Sequence, residues 1–395
     1  MLDKRKKGRV LITCSPGLVD SLQKELSQLG FAAESSHLAG VEISASLDDT
    51  LLLNLSLRTA YNVLYLLRDF TCHHADDLYQ QTVKIPWEEI IPPDEYLTVI
   101  SRVDNPTINN TMFPNLKVKD AIVDRIKQKT GRRPDAGPDR NHVVINLYWK
   151  QSRCWLYLNT SGVKLSDRNY RKIPHKAPMR ESLAAAVIMA TEYQGRRPLV
   201  NPMCGSGTLA IEAALIASGR TPGLLRDNFG LMHLRSFDAY TWKSLRIELR
   251  KKSKNIKPAP IIASDIDPQA ITAARKNALT AGVEHLIDFH VCDFADTPIP
   301  DEEGFIILNP EYGSRMGELQ ELEKSYRRIG DFFKQKCSGY TGYIFTGNLE
   351  LAKKIGLRTS RRIPFFNADI ECRLLKYDLY SGSRKNRNHS DQQQS

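Results

Sequence analysis

The stretch Pro-Leu-Val-Asn-Pro-Met-Cys-Gly-Ser-Gly-Thr, residues 198–208, decides the fold. Its first three residues are apolar and predict a short buried strand, and residues 209–218 predict a helix. Glycines at a strand-to-helix turn let the backbone approach a ligand closely and bring the helix amino end against it. The turn has neither the Gly-Lys-Ser/Thr of a P-loop nor the Gly-x-Gly-x-x-Gly of a dinucleotide fold. It therefore favours another nucleoside-like ligand.

Two later apolar runs also end in side chains that suit a nucleoside. Residues 261–264 predict a second strand that ends at Asp265, and an acid at this place in a doubly wound sheet can accept both ribose hydroxyls. Asp267 is better interpreted as the N-cap of the following helix. A third strand ends at Asp293 and Phe294, where a carboxylate can accept from an adenine amine and a ring can pack on the base. The residues at the ends of these strands predict a cofactor site at the carboxyl edge of a parallel sheet.

A fourth apolar run, residues 305–308, predicts a buried strand that ends in Asn309-Pro310-Glu311-Tyr312. Amide and peptide carbonyl oxygens can accept hydrogen bonds from an exocyclic amine while an aromatic ring stacks on the base. An Asn-Pro pair can also simply close a strand with a turn. The ordered series of Gly-rich loop, acid, acid and Asn-Pro-x-Tyr favours the base-binding interpretation.

The composition is that of a cytoplasmic protein with two or three domains. The 395 residues carry 56 Lys and Arg against 45 Asp and Glu, a net charge of +11 that is compatible with a polyanionic partner. No apolar run approaches the roughly 20 residues of a membrane span, and the basic start does not resemble a secretory signal. The seven cysteines form no Cys-x-x-Cys pair, which favours reduced thiols and argues against zinc. We expect no metal, no membrane association and no obligate protein partner.

The chain divides into regions of different pattern. Residues 1–70 predict a small α+β unit, with a strand, a helix from Pro16 to Gly30, and a second helical stretch through Leu51, Leu55, Leu57 and Val63. Residues 71–163 mix strands with one helix at 117–129. Residues 164–380 alternate strand, loop and helix, which is typical of a parallel sheet covered on both faces. The polar tail 381–395 is expected to be disordered.

Basic residues suggest two RNA-contacting segments. Lys119 lies on a helix whose charged side either faces solvent or contacts RNA. The linker around Arg168, Tyr170 and Arg171 combines positive charge with an aromatic ring, a composition suited to phosphate contact and base stacking. It is equally compatible with a solvated interdomain loop.

Several motifs together resemble one family. Residues 201–208 resemble the AdoMet-binding loop of class I methyltransferases, and residues 309–318 resemble the Asn-Pro-Pro-Tyr-Gly-x-Arg signature of enzymes that methylate amines. Residues 177–183, Ala-Pro-Met-Arg-Glu-Ser-Leu, look like the motif that precedes the cofactor loop in THUMP-containing 23S rRNA guanine-N2-methyltransferases. Further matches, in the order of that family, occur at residues 14–18, 57–60, 117–124, 168–171 and 367–370.

The resemblance implies a fold, an activity and a set of site residues. The expected fold is a Rossmann-like class I methyltransferase domain preceded by a ferredoxin-like unit and a THUMP RNA-binding domain, and the expected activity is transfer of methyl from AdoMet to a guanine amine of 23S rRNA. The expected catalytic residues are Asn309, Pro310 and Tyr312. The expected cofactor contacts are Asn201, Cys204, Gly205, Ser206, Gly207, Asp265, Asp293 and Phe294. The expected RNA contacts are Lys119, Arg168, Tyr170 and Arg171.

Two residues depart from the family pattern. Glu311 replaces the second proline of the signature and brings a flexible anionic side chain to the base pocket. Asn201 replaces an aspartate and loses only its charge. Two alternatives to the 23S rRNA enzyme follow: a THUMP methyltransferase acting on a tRNA guanine, and an RNA-binding protein that Glu311 has impaired as a catalyst.

Overall fold

The computed structural model describes residues 3–105, 112–173, 179–253, 257–313 and 319–380, without the side chain of residue 75. Its strands are β1 Gly8–Cys14, β2 Ala33–His37, β3 Gly40–Ala45, β4 Ala60–Thr71, β5 Tyr96–Asp104, β6 Asp135–Ala136, β7 Val143–Lys150, β8 Arg153–Asn159, β9 Leu199–Pro202, β10 Ile261–Asp265, β11 Ile287–Val291, β12 Phe305–Leu308, β13 Thr341–Thr346, β14 Arg361–Asn367 and β15 Ile370–Asp378. Its α-helices are α1 Val19–Gln28, α2 Asp49–Ser56, α3 Ala75–Thr82, α4 Trp87–Ile90, α5 Met112–Thr130, α6 Glu181–Ala190, α7 Thr208–Ala217, α8 Ala239–Lys252, α9 Pro268–Thr280, α10 Leu319–Lys336 and α11 Leu349–Lys353.

The chain forms two compact units. The first contains Met1–Asn169 and Arg220–Ser253, and the second contains Tyr170–Gly219 and Lys254–Ser395. Helix α8 therefore clusters with the first unit, although the sequence pattern grouped its residues with the strand, loop and helix repeats of 164–380. No described helix is both long enough and apolar enough to cross a membrane.

The first unit contains a mixed sheet with the strand order β2-β3-β1-β4-β8-β7-β5-β6. Strand β5 pairs in parallel with β6 and β7, and the remaining neighbours are antiparallel. Helix α5 buries Val118, Ala121, Ile122 and Ile126, the apolar face that the sequence predicted. This mixture of strands and helices is the α+β arrangement expected for the region before the catalytic domain.

The second unit contains a sheet with the strand order β11-β10-β9-β12-β13-β15-β14. The first five strands of that order are parallel, and β15 is antiparallel to both β13 and β14. Four of these strands are the predicted ones, and β12 has the predicted limits of Phe305 and Leu308. All four β12 side chains are buried, because a central parallel strand is covered on both faces. The expected Rossmann-like fold is confirmed.

The order of this sheet fixes where a ligand binds. The chain runs outward from β9 to β10 and β11 and then crosses back to place β12 on the other side of β9. In open α/β sheets, ligands bind beyond the carboxyl ends of the strands at such a reversal. The loop after β9 and the tetrapeptide after β12 both begin at this point.

One predicted helix extended too far. The apolar stretch through Leu51 and Leu55 is helical only to Ser56, and Val63 lies in the long strand β4. The apolar spacing alone did not show where the helix ends and the strand begins. Leu57 and Val63 are buried in the structure, and a continued helix would also have buried them. Residues 177–178 and 314–318, which carry part of the family resemblance, and the tail 381–395 lie outside the described residues.

Candidate active site

The loop that follows β9 is shaped by glycines with two different roles. Gly205 has φ +55°, and a Cβ atom added to it would meet nothing within 4 Å, so its main chain borders open space. Gly207 has φ +81°, and an added Cβ would lie 2.9 Å from the Cβ of Ala274 in α9. The first glycine lets a ligand approach the backbone, and the second lets α7 begin close to α9. This combination fits a ligand at the amino end of α7.

Asp265 ends β10 and organises this loop. One of its carboxylate oxygens, Oδ2, accepts a hydrogen bond from the backbone N–H of Gly205 at 2.9 Å, and Oδ1 accepts from the N–H of Asp267 at 3.0 Å. Each oxygen keeps a further lone pair for a ribose hydroxyl. Asp267 caps α9 by accepting from the N–H of Gln269 at 2.8 Å, which confirms its predicted N-cap role.

The tip of β11 differs from the expectation at one residue. The Oδ1 oxygen of Asp293 accepts from the N–H of Ala295 at 2.9 Å and from the guanidinium of Arg328 at 2.8 Å. The ring of Phe294 is only 5% exposed and lies edge-on against Phe332 at a centroid distance of 5.8 Å. It belongs to the core, so the predicted packing of this ring on the adenine is wrong for this conformation. Asp293 remains the candidate at this tip.

Asn201 also has a structural role that the sequence did not predict. The residue is fully buried in β9, and its Nδ2 donates to the carbonyl oxygen of Ile307 in β12 at 2.8 Å. The backbone pairing of β9 with β12 covers only two residue pairs, and the amide extends that connection towards the strand tips. The amide nitrogen thus joins the two strands that flank the site, while the Oδ1 atom is buried without a hydrogen-bond partner among the described residues, so contact of Asn201 with the cofactor stays a prediction.

Asn309 presents an acceptor at the tip of β12, and the buried Pro310 follows it. The Oδ1 atom of Asn309 is buried and has no hydrogen-bond partner among the described residues. Leaving a buried acceptor unsatisfied costs about 1–3 kcal/mol, so a donor supplied by a ligand would stabilise this position. The geometry thus agrees with a donor group of the substrate at this position.

Tyr312 is held by elements far from it in sequence. Its hydroxyl accepts a hydrogen bond from the Nδ2 of Asn367 at 2.9 Å. A Cβ atom added to Gly347 would lie 3.0 Å from the Tyr312 ring and 2.9 Å from Ile370, so only glycine leaves room for the ring there. Burial raises the pKa of Tyr312 to about 12, which keeps the phenol neutral. The family resemblance includes Asn367 within residues 367–370 without giving it a role, and no sequence pattern singled out Gly347.

The predicted RNA contacts in the linker are mostly internal contacts. Tyr170 is 1% exposed and its hydroxyl donates to Glu212 of α7 at 2.9 Å. Arg168 is 1% exposed and its guanidinium donates to the carbonyl oxygen of Arg58. Stacking or phosphate contact by these two buried side chains is wrong for this conformation.

Arg171 supports the cofactor loop instead of a solvent-facing surface. Its Nη2 donates to the Thr208 hydroxyl at 3.2 Å and lies 3.5 Å from the carboxylate of Glu181. Asn277 of α9 has a similar role, since its Oδ1 accepts from the backbone of Lys172 and its Nδ2 donates to the carbonyl of Ser206. The sequence did not single out Asn277.

The remaining predicted residues lie as follows. Lys119, in α5, forms an ion pair of 2.8 Å with Asp120 and stays a predicted RNA contact. Cys204 and Ser206 lie within the Gly-rich loop, where burial and then the nearby Asp265 raise the pKa of the Cys204 thiol and keep it neutral. The Gly205 backbone at open space and the Asp265 carboxylate fit the predicted AdoMet.

Family models match three consecutive parts of the chain. A ferredoxin-like domain model of the large-subunit rRNA methyltransferase type matches residues 9–64, a THUMP domain model matches 72–159, and an RMKL-like methyltransferase domain model matches 168–376. The resemblance noted from the motifs is thereby confirmed.

Two relatives align with most of this chain. The chain is 36% identical to slr0064 of Synechocystis sp. PCC 6803, a candidate RNA methyltransferase, over 93% of this chain and 96% of that protein. It is also 36% identical to "Ribosomal RNA large subunit methyltransferase K/L" of Syntrophotalea carbinolica over 93% of this chain and 53% of that protein. The chain therefore spans about half the length of the K/L proteins it matches and nearly all of the Synechocystis one.

Several solved structures agree with this chain over nearly its full length. A possible methylase from Clostridium difficile 630 is 28% identical to this chain and has a TM-score of 0.86. The match covers 96% of this chain and 100% of that one. The agreement includes the N-terminal region as well as the catalytic fold.

Proposed function

Because this chain belongs to the RMKL-like methyltransferase family and is an AdoMet-dependent RNA methyltransferase with a THUMP domain, we propose that it methylates the exocyclic N2 amine of a guanine in 23S rRNA. The substrate part of this proposal rests on the K/L relatives, whose name specifies the large-subunit ribosomal RNA. A ribosomal RNA substrate also fits the cytoplasmic location predicted from the sequence.

The observation that carries the proposal is the buried Oδ1 of Asn309, which has no partner among the described residues. A guanine amine has two N–H donors, and this acceptor with the adjacent Pro310 carbonyl can receive both. The ring of Tyr312, fixed by Asn367 at its hydroxyl, supplies a face for the base. A target guanine must leave its stack to reach these groups, as single-stranded and looped RNA allows.

The chain's residues act mainly by positioning. AdoMet, when bound, supplies a methyl group on a sulfonium that leaves as a neutral thioether. Gly205, Gly207 and Asp265 are proposed to hold it, with Asp293 near its adenine. Asn309 and Pro310 orient the N2 lone pair and raise its electron density by accepting from the two N–H groups. The departing N2 proton passes to water, because an amide and a peptide carbonyl are too weakly basic to keep it. Orientation of this kind supplies most of the rate enhancement.

A methyl-transfer assay with defined RNA tests the proposal. Purified protein is incubated with tritiated AdoMet and 23S rRNA from a strain of the source organism that lacks the gene. Parental rRNA, which already carries the modification, is the matched negative substrate, and bulk tRNA is the competitor. We expect one methyl per 23S rRNA from the deletion strain, recovered as N2-methylguanosine after digestion.

Other outcomes would reject it in distinct ways. Incorporation into tRNA alone would assign the enzyme to tRNA. Methyladenosine as the product would reject the guanine assignment. Binding to RNA without any incorporation would favour the alternative of an RNA-binding protein that is impaired as a catalyst. Fragment mapping on the labelled 23S rRNA then identifies the nucleotide.

A further inference from the structure

Three metal-ligating side chains converge in the first unit, outside the candidate active site. Glu95 lies just before β5, His142 lies just before β7, and His233 lies in the segment between α7 and α8. Each offers one ligand atom, and these atoms all lie within 4.8 Å of one another. The side chains are between 18% and 38% exposed, so an ion can enter from solvent.

Hydrogen bonds determine which nitrogen of His233 carries a proton. The Nδ2 of Asn228 donates to the carbonyl oxygen of Asn141 at 2.6 Å, which orients the amide so that its Oδ1 faces His233. This Oδ1 lies 2.8 Å from the Nε2 of His233, so Nε2 is the N–H donor. In the neutral imidazole, Nδ1 therefore has a lone pair.

That lone pair faces a carboxylate. The Nδ1 of His233 lies 3.2 Å from the Oε2 of Glu95, and two electron pairs cannot face each other at this distance without a positive centre between them. A second proton on His233 or a metal ion satisfies this requirement. The Nδ1 of His142 lies 2.7 Å from the other oxygen of the same carboxylate, so two imidazole nitrogens and one carboxylate converge.

We propose that Glu95, His142 and His233 bind one divalent transition metal ion, for which Zn²⁺ is the best match. Two imidazoles and a carboxylate are a common zinc ligand set, and it leaves the fourth position to water. The outer nitrogen of His233 is hydrogen-bonded to Oδ1 of Asn228 at 2.8 Å, whereas the outer nitrogen of His142 lies 3.9 Å from Oδ2 of Asp139, beyond hydrogen-bond distance. Second-shell acceptors of this kind orient metal-binding histidines.

A bound ion would join three segments of the first unit. The ion connects the starts of β5 and β7 to the segment of residues 220–238, which otherwise follows α7 as an insertion. The segment already contacts the same sheet closely, since a Cβ atom on Gly230 would lie 2.4 Å from the carbonyl of Asn159. Binding of the ion to the folded state alone stabilises that state by mass action.

Zinc titration of the full chain tests this site. The purified protein is stripped with a chelator, and ZnCl₂ is added in a calorimeter. We expect one equivalent to bind saturably to the wild type and to His37→Gln, a control at an exposed histidine of the same unit. His142→Gln, His233→Gln and Glu95→Gln should each lose at least about tenfold in affinity. Zn²⁺ should raise the Tm of the wild type and the control only.

Further measurements keep the result interpretable if a ligand variant fails to fold. Asn228→Ala retains all three ligands and should weaken zinc binding by about 10–100-fold. Co²⁺ in place of Zn²⁺ should give a visible spectrum without a thiolate charge-transfer band. A thiolate band would place the ion at cysteine, and binding that survives every ligand variant would place it elsewhere. Absence of saturable binding would mean that no metal ion occupies the space between His233 and Glu95. Each of these three results overturns the proposal.

Discussion

The side-chain amide of Asn367 donates a hydrogen bond of 2.9 Å to the hydroxyl of Tyr312, across 55 residues of sequence. Asn367 ends β14 and begins the tight turn of the β14–β15 hairpin, in which Ala368 has φ +53°. The hairpin therefore determines where the ring after β12 lies. The same hydroxyl is 3.9 Å from the thiol of Cys372 in β15, so both partners of the Tyr312 hydroxyl belong to the β14–β15 hairpin.

We expect Asn367→Ala to slow methyl transfer because it removes the bond that positions the Tyr312 ring. A single hydrogen bond contributes about 1 kcal/mol, which corresponds to a decrease in kcat of about fivefold. Single-turnover transfer measures this, and calorimetry with AdoMet should show little change in Kd.

A double-mutant cycle supplies the control. Tyr312→Phe removes the other partner of the same bond, so the double variant should be no slower than the slower single variant. Additive losses would show that Asn367 acts through another contact.

Asp265→Ala should abolish measurable AdoMet binding. The variant removes both the proposed ribose acceptor and the carboxylate that accepts from the backbone of Gly205, so the Gly-rich loop also loses support. Calorimetry with AdoMet measures the effect. Asp267→Ala is the matched control. It removes a carboxylate two residues away and a helix cap worth about 1 kcal/mol of stability, but not the proposed ribose acceptor. Unchanged affinity in Asp265→Ala would remove this residue from the site.

The catalytic fold and the outline of its site were predictable because they depend on short-range patterns. A buried parallel strand is an apolar run, and its tip follows directly in sequence, so Asp265 and Asn309 could be located before the structure was known. The limits of β12 agree residue for residue. The Asp267 cap was predictable for the same reason, since a cap bonds within three residues.

Contacts between distant segments could not be predicted. Tyr170 lies in a basic segment that suggested stacking on RNA. Its ring is instead buried, and its hydroxyl donates a hydrogen bond to Glu212 of α7, which is 42 residues away. Asn201 was assigned to the cofactor because it lies in the loop motif, yet its amide bonds to Ile307 of the neighbouring strand. In each case the deciding partner is brought close only by the fold.

Glu311→Pro should raise turnover. Glu311 is exposed and stands where the family pattern has a rigid ring, and a proline reduces the freedom of the chain beside Asn309 and Tyr312. The assay is kcat for 23S rRNA under saturating AdoMet. Glu311→Ala separates charge from rigidity, because it removes the carboxylate without adding a ring. A large loss in Glu311→Pro would instead show that the carboxylate has its own role in catalysis or RNA binding.

Glu25→Gln should change how stability depends on pH. Glu25 is 5% exposed and accepts from the N–H groups of Arg58 and Thr59 and from the Thr59 hydroxyl. Burial raises its pKa above the usual 4.5, so the folded state binds this proton more tightly than the unfolded chain. The resulting stability is fully present below pH 4.5 and is lost as pH rises through the folded pKa. Glutamine cannot titrate and lacks this contribution at every pH.

The measurement is the difference in unfolding free energy between wild type and Glu25→Gln, taken from denaturant melts at several pH values from about 4 to 8, a range that starts near the ordinary carboxyl pKa. The difference should decrease as pH rises and then level off above the folded pKa. Glu34→Gln, at an exposed position in β2, is the control for charge removal. A difference that increases with pH would mean that the three donors stabilise the carboxylate more than burial destabilises it, and the direction of the pKa shift would be the opposite.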